Sequence, residues 1–283
     1  MVQRAINSVL SQSYSNYELI IVDDGSTDDT PQIVNIFKDK IKFIQQENLG
    51  VSAARNKGIE ISAHEYITFL DSDDLWEPEK LEKQLKYMLN NGYAFSYTSF
   101  KQKYLDGNLF ESNDVSSFYG DVFYDFISEW KICTPCVMLE RAALGKKRFL
   151  ENIFMGEDIC LWLSFLWRYK GGAVPDFLTT VRVRSDSTSQ SIEKRKKALY
   201  TVIGYLSDNY SNEECMLYIG LLIDKFRDLF PIIQINEVAK IDAKQIDSLI
   251  QPKDYLLRLL IARKKYGIIG LSKILFKRLF SRT

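Results

Sequence analysis

Four short stretches of this chain carry side chains suited to chemistry. The densest is Ile67-Thr68-Phe69-Leu70-Asp71-Ser72-Asp73-Asp74, an apolar, β-favouring run that ends in three carboxylates within four residues. Carboxylates so close repel one another, and a divalent cation held by hard oxygen ligands beside substrate phosphates relieves the repulsion. The pattern therefore predicts a metal–phosphate site where a buried strand delivers acids to the carboxyl edge of a parallel sheet. A second acidic pair, Asp23-Asp24, closes another short apolar run and leads into Gly25-Ser26-Thr27-Asp28. The third stretch, Gly50 to Gly58, carries Arg55 and Asn56 on an expected helix. The fourth is Gly156-Glu157-Asp158, two acids opening a helix. They can complement the positive helix end or aim a general base into a cleft.

Positioning these groups requires alternating elements. Val2, Ala5, Ile6, Val9 and Leu10 share one helical face, so residues 2–11 read as an amphipathic helix. Strands are expected at 17–22, 41–45 and 65–70. Helices are expected from Thr27 or Asp28 to Lys38 with Pro31 in the first turn, over 49–60, and from Pro78 to Asn90. Strand-then-helix repetition means a doubly wound sheet, and one that begins with a helix lacks its incoming strand, which suggests truncation. Beyond Gly92 the pattern changes to a mixed extension. Strands are expected at 93–100 and 137–139, a turn at Asp106-Gly107-Asn108, a helix near 120–130 and another over 159–169. Residues 193–283 read as mostly helical. The division is 1–190, catalytic, and 191–283, a helical region with a basic amphipathic tail.

Composition limits the function classes. With 46% apolar and 13% aromatic residues in 283, the chain can bury a sizeable core. Four cysteines are too few for a disulfide scaffold, and neither a signal peptide nor a bilayer-length apolar run is visible, so a reducing cytoplasm is expected. Cys133-Thr134-Pro135-Cys136 has redox or half-zinc spacing, but a single CxxC without a second pair or nearby His reads as incidental. Formal charge is zero, yet no acid follows Asp254 while eight Lys and Arg run from Arg258 to Arg282 among Leu and Ile. Such a tail suits an anionic membrane surface on the inner face of the cell membrane better than nucleic acid, for which no motif is present.

Taken in order, these four stretches, the last with Leu161-Trp162, resemble the motifs of family 2 inverting glycosyltransferases, whose GT-A fold has a Rossmann-like nucleotide-binding half. The resemblance covers about 1–190 and lacks the usual first strand. It implies an inverting transfer from a nucleotide-sugar donor, UDP-linked, to a hydroxyl of a surface polysaccharide or lipid-linked saccharide. By resemblance Asp23, Asp24 and Arg55 contact the base and ribose, Asp71 leans toward the ribose, and Asp73 binds Mn2+ or Mg2+ on the diphosphate. Asp158 is the implied base, with Glu157 orienting it or touching the acceptor. Asp74 is an outer acceptor or the cap of the next helix, and Trp162 walls the sugar pocket or packs in the core. Arg184 stands where relatives often carry a His, and His64 is assigned nothing.

Other readings fit less well. No GxxxxGK[ST] stretch exists for a P-loop NTPase. A receiver domain with Asp71 as nucleophile would leave Asp158 and the long C-terminal region without a role. A truncated, catalytically weak relative serving as a structural partner in a membrane-associated glycan assembly is the remaining alternative.

Overall fold

The computed structural model describes residues 1–104, 108–118, 132–153, 155–183 and 192–210, with isolated positions at 122, 123, 126, 218 and 222. The turn expected at 106–108 lies largely outside these residues, as do most of the helix expected near 120–130, Arg184, Cys215 and the basic tail. The chain divides into two compact units, one of residues 1–126 and 130–188, the other of 127–129 and 189–283.

In the first unit, α1 (Val2–Leu10) is followed by β1 (Ile20–Asp24), α2 (Thr30–Asn35), β2 (Lys42–Gln46), α3 (Val51–Ile61), β3 (Tyr66–Thr68), β4 (Leu75–Trp76) and α4 (Lys80–Asn91). Then come β5 (Phe95–Tyr104), β6 (Leu109–Asn113), β7 (Met138–Glu140), α5 (Arg141–Leu144), α6 (Glu157–Leu166) and β8 (Gly171–Val183). β1 and β2 pair in parallel as a sheet of their own. The larger sheet runs β3-β7-β5-β8-β4, with β6 added to β5, and mixes parallel and antiparallel neighbours.

Several sequence expectations change here. β3 is three residues long and pairs antiparallel with β7, so Phe69-Leu70 and the acids leave a mixed rather than parallel edge. β1 starts at Ile20, not at 17, and includes Asp23 and Asp24 within the strand. α2 stops at Asn35 and yields to a 3-10 turn at Lys38–Lys40. The 13-residue β8, for which no strand was expected, runs parallel to β5 along most of its length. A bulge admits Pro175 and Asp176, so that Thr98 faces Val174 while Ser99 already faces Phe177. The proline, which has no N–H to give the ladder, sits outside the pairing there.

β5 is buried on both faces from Phe95 to Phe100, which requires cover on each side. One cover is an aromatic cluster in which Trp162 lies 5.6 Å from both Phe95 and Phe149, and Phe95 5.6 Å from Phe165. The other comes from α4, whose buried Gln84 donates to the carbonyls of Ser96 at 3.1 Å and Cys136 at 2.9 Å. α1 is fastened to the segment beyond the acidic turn. Gln12 donates to the Glu77 carbonyl at 2.8 Å and accepts from Leu81 N at 2.9 Å.

A cavity of about 1270 Å³ separates β1 from β3. Its apolar part is lined by Ile6, Val9, Ile21, Ile67 and Leu85, and it continues to the acids at the strand ends.

In the second unit, α7 (Ile192–Asn209) buries Leu199, Val202, Ile203 and Leu206, and Tyr210 meets the buried Tyr218 edge to face at 5.5 Å.

Candidate active site

The first acidic pair shapes a loop. Asp24 accepts from Leu49 N at 2.9 Å and Gly50 N at 2.8 Å, and from Gln46 Nε2 at 2.7 Å, so its carboxylate caps the approach to α3. Asp23, buried, accepts from Ser26 N at 3.1 Å and Gln45 Nε2 at 3.2 Å. Gly25 between them and the helix has φ +78°, and a Cβ there would meet Asn48 N at 2.8 Å. Only glycine lets these two loops approach so closely.

α3 projects Arg55 to the centre of the site. Its guanidinium donates to Asp71 Oδ1 at 2.9 Å and to Glu157 Oε1 at 3.1 Å, with the Phe149 ring 5.2 Å away. Arg55 therefore bridges the acidic turn to the start of α6. Burial opposes the charge of Arg55, but Asp71, Asp158 and Glu157 outweigh it and hold the guanidinium more firmly protonated than usual. Its neighbour Asn56 ties the same helix to the segment before α6, donating to the Phe149 carbonyl at 2.9 Å and accepting from Phe149 N at 2.9 Å.

The turn after β3 resolves its own repulsion in two ways. Asp71 takes a charge-assisted bond from Arg55. Asp74 is withdrawn to 4% exposure, where Oδ1 accepts from Arg182 N on β8 at 2.9 Å. Burial pushes its carboxyl up to about 8, the Arg182 amide opposes this, and the charges of Asp71 and Asp73 add to it. Asp74 does not cap the next helix, since α4 begins at Lys80 after Glu79. The Arg182 guanidinium stands near Asp73 and Asp74, and burial with the nearby Arg4 lowers its affinity for its proton. β8 thus brings Arg182 to the acidic turn, while Arg184 lies outside the described residues.

Gly156, at φ +90°, turns the chain into α6 and sets Glu157 and Asp158 in its first turn. Asp158 is half-buried. Its Oδ2 accepts from Thr134 Oγ1 at 3.2 Å and its Oδ1 from Ile159 N at 2.8 Å. Burial raises the Asp158 carboxyl, while Arg55, the Ile159 amide and Thr134 pull it back. Glu157 is raised by burial and by Asp158, again against Arg55. Trp162 is fully buried among Phe69, Phe95 and Phe149, which places it in the core rather than against a sugar.

Arg55, Asp71 and the Glu157-Asp158 pair therefore form one continuous charged site, and Asp23, Asp24, Asp71 and Asp73 line the same cavity. Among the described residues, no three His, Cys, Asp or Glu side chains are arranged to hold a metal by themselves. Asp71 and Asp73 are hard-oxygen donors of the kind that bind Mg2+ or Mn2+ together with substrate phosphates and water, so the donor set fits such an ion.

The glycosyl transferase family 2 profile matches residues 1–148. The chain belongs to this family. An uncharacterized glycosyltransferase of Rickettsia bellii is 39% identical over 209 residues, which are 73% of this chain and 30% of the relative. The chain thus spans about a third of the length of the Rickettsia relatives it matches. The Escherichia coli UDP-Glc:alpha-D-GlcNAc-diphosphoundecaprenol beta-1,3-glucosyltransferase WfgD is 31% identical, over 74% of this chain and 82% of that enzyme. In structure the chain is similar to S. aureus TarS 1-349 in complex with UDP-GlcNAc, with a TM-score of 0.63 at 18% identity, covering 79% of this chain and 68% of TarS. Together with the mixed sheet, this likeness gives a GT-A fold.

Proposed function

We propose that this enzyme is an inverting glycosyltransferase that moves a sugar, glucose in the first instance, from a UDP-linked donor to a hydroxyl of a lipid-linked saccharide. The observation that carries the proposal is Arg55. One guanidinium joins Asp71, at the donor end, to Glu157, beside the base, at 2.9 and 3.1 Å. The likeness to WfgD supports the donor and the acceptor class.

In this reading the loop closed by Asp23 and Asp24 frames the nucleotide, and Asp71 and Asp73 face the diphosphate. Bound there, Mg2+ or Mn2+ would supply positive charge to the departing nucleoside diphosphate. Arg55 and Arg182 add fixed positive charge on two sides of the acidic turn. Asp158 takes the proton of the acceptor hydroxyl while that oxygen attacks the anomeric carbon from the face opposite the leaving group. Each Asp158 oxygen has one hydrogen bond and a further lone pair for that proton. A single displacement inverts the centre without a covalent intermediate. Burial raises the Asp158 carboxyl, which strengthens it as a base, while Arg55, the Ile159 amide and Thr134 hold that rise back.

No described helix is long and apolar enough to cross a membrane. A lipid-linked acceptor is then met at the inner membrane surface, where the basic segment after Asp254 would dock peripherally. The catalytic unit is taken as 1–190 and the remainder as the docking region.

The test is transfer from UDP-glucose, and from a panel of other UDP-hexoses, to a GlcNAc-diphosphate-lipid. Asp158→Asn should lower kcat about 10²- to 10⁴-fold with little change in donor KM. Unchanged kcat in that variant would remove Asp158 from the role of base.

A further inference from the structure

Thr134 reaches Asp158 from a tight turn whose two ends are cysteines. The 3-10 turn Thr134–Cys136 brings Cys133 Sγ and Cys136 Sγ to 2.8 Å, with both thiols free. A disulfide bond is about 2.05 Å long, so closure asks for less than about 1 Å of sulfur movement. The backbone already holds that geometry, Cys136 N donating to the Cys133 carbonyl at 3.0 Å and Val137 N to Thr134 at 3.2 Å. The far side of the turn is pinned. The Pro135 carbonyl accepts from Trp76 Nε1 at 2.9 Å, and that of Cys136 from Gln84 Nε2 at 2.9 Å. Movement on closure is therefore directed to the Cys133-Thr134 side, where Thr134 Oγ1 holds Asp158 Oδ2.

The sulfurs differ in access. Cys136 is buried and Cys133 half-buried. Beneath them lies Lys80, fully buried, with its amine 3.9 Å from the Trp76 ring, donating to Thr68 Oγ1 and feeling both sulfurs. Burial and the adjacent Cys136 hold the Cys133 thiol protonated well above the ordinary range, so exchange proceeds faster as pH rises.

We propose that Cys133 and Cys136 are a reversible dithiol–disulfide site, closed by exchange with a low-molecular-weight disulfide such as oxidised glutathione, and that closure slows transfer by drawing Thr134 away from Asp158. The second half rests on the reading of Asp158 as the base. The Cys133 thiolate attacks one sulfur of the external disulfide, breaking its S–S bond and expelling one thiolate, which leaves protonated. The Cys136 thiolate then attacks Cys133 Sγ, breaking the mixed disulfide and expelling the second. Two protein thiols are oxidised by two electrons, the external disulfide is reduced to two thiols, and both cysteine protons end on those thiols. The same reaction run backwards with excess thiol reopens the site.

Both cysteines fall in the tryptic peptide 132–141. The reduced chain is incubated with oxidised glutathione, quenched, alkylated with iodoacetamide and digested. The expected peptide 132–141 is unalkylated, lighter by two hydrogen atoms, and returned to the dithiol by dithiothreitol, while Cys160 and Cys215 are alkylated. In Cys136→Ser, reaction should stop at a glutathione adduct on Cys133. Alkylation of both cysteines in the treated parent, or a persistent glutathione adduct there, overturns the site. Amide hydrogen exchange over 156–160, several-fold faster in the oxidised chain, reports the link to Asp158 without turnover; identical exchange overturns the link. Oxidation should also lower kcat several-fold with UDP affinity unchanged, and Cys133→Ser with Cys136→Ser should be insensitive to the oxidant. Should the reduced chain transfer nothing, the transferase reading has failed, and peptide mass and exchange still decide the dithiol.

Discussion

Arg55 carries more of this site than any other residue, because three acids on two elements share its charge. Removing the cation leaves half-buried acids without their charged hydrogen-bond partner, a loss of about 1.5–3 kcal/mol. Arg55→Ala is thus expected to lose about that much stability in urea unfolding. It should also move the acid limb of the pH–kcat profile to higher pH. The sign follows from Asp158. Its carboxyl is raised by burial and restrained by Arg55, the base must be ionised to act, and without the cation it ionises only at higher pH. An unmoved limb would mean that Arg55 does not act on the base. At this scale the sequence singled out acids that the fold brings near Arg55 and the cavity, since Asp71, Asp73, Glu157 and Asp158 stand in short motifs. It was silent on who partners them. Thr134, Phe149 and Arg182 come from distant segments, and spacing along the chain does not encode contacts made across a fold. Arg182 had a usable signal, being an inward neighbour on a strand, but only once that strand is recognised.

β8 shows why an element can be missed. Gly171-Gly172 and Pro175 punctuate it, and such residues ordinarily mark loops. Packing reverses their meaning. A Cβ on Gly172 would lie 2.5 Å from Tyr87 Oη and 2.7 Å from Tyr93 Cε2, so the strand passes beneath two rings that leave room for a hydrogen only. Gly172→Ala is expected to destabilise the fold by about 1–3 kcal/mol, measured by thermal unfolding, with full tolerance as the contradicting result. α1 and α4, by contrast, were readable from periodicity within a few residues, because their apolar positions recur at helical spacing.

Lys80 gives α4 a pH signature. Burial pushes its amine down to about 7 from the ordinary 10.5, with no carboxylate among its named partners. Below about 7 the amine is charged in both the folded and unfolded chains, and the burial penalty is fully present. Between about 7 and 10.5 the unfolded chain binds the extra proton, so stability rises with pH. The difference in stability between the parent and Lys80→Met should therefore shift by several kcal/mol in favour of the parent across that window. A flat difference would mean that Lys80 titrates normally.

Across the whole molecule, the sequence pattern and the structure agree on an α/β chain whose acids gather at one edge, and they part over how the sheet is built. Alternating strand and helix implied one doubly wound sheet, whereas β1 and β2 form a separate parallel pair and β3 joins an antiparallel neighbour across the cavity. Pairing partners are set by which edges meet in space, which local periodicity does not record. The acids nevertheless converge on that cavity, and the central claim is that they compose a metal-assisted donor site. Calorimetric titration of the chain with UDP, with and without Mn2+, in the parent and in Asp73→Ala tests it most directly. The account predicts binding in the parent that depends on Mn2+ and weakens at least tenfold in the variant. Binding indifferent to both Mn2+ and Asp73, or none in the folded parent, would contradict it.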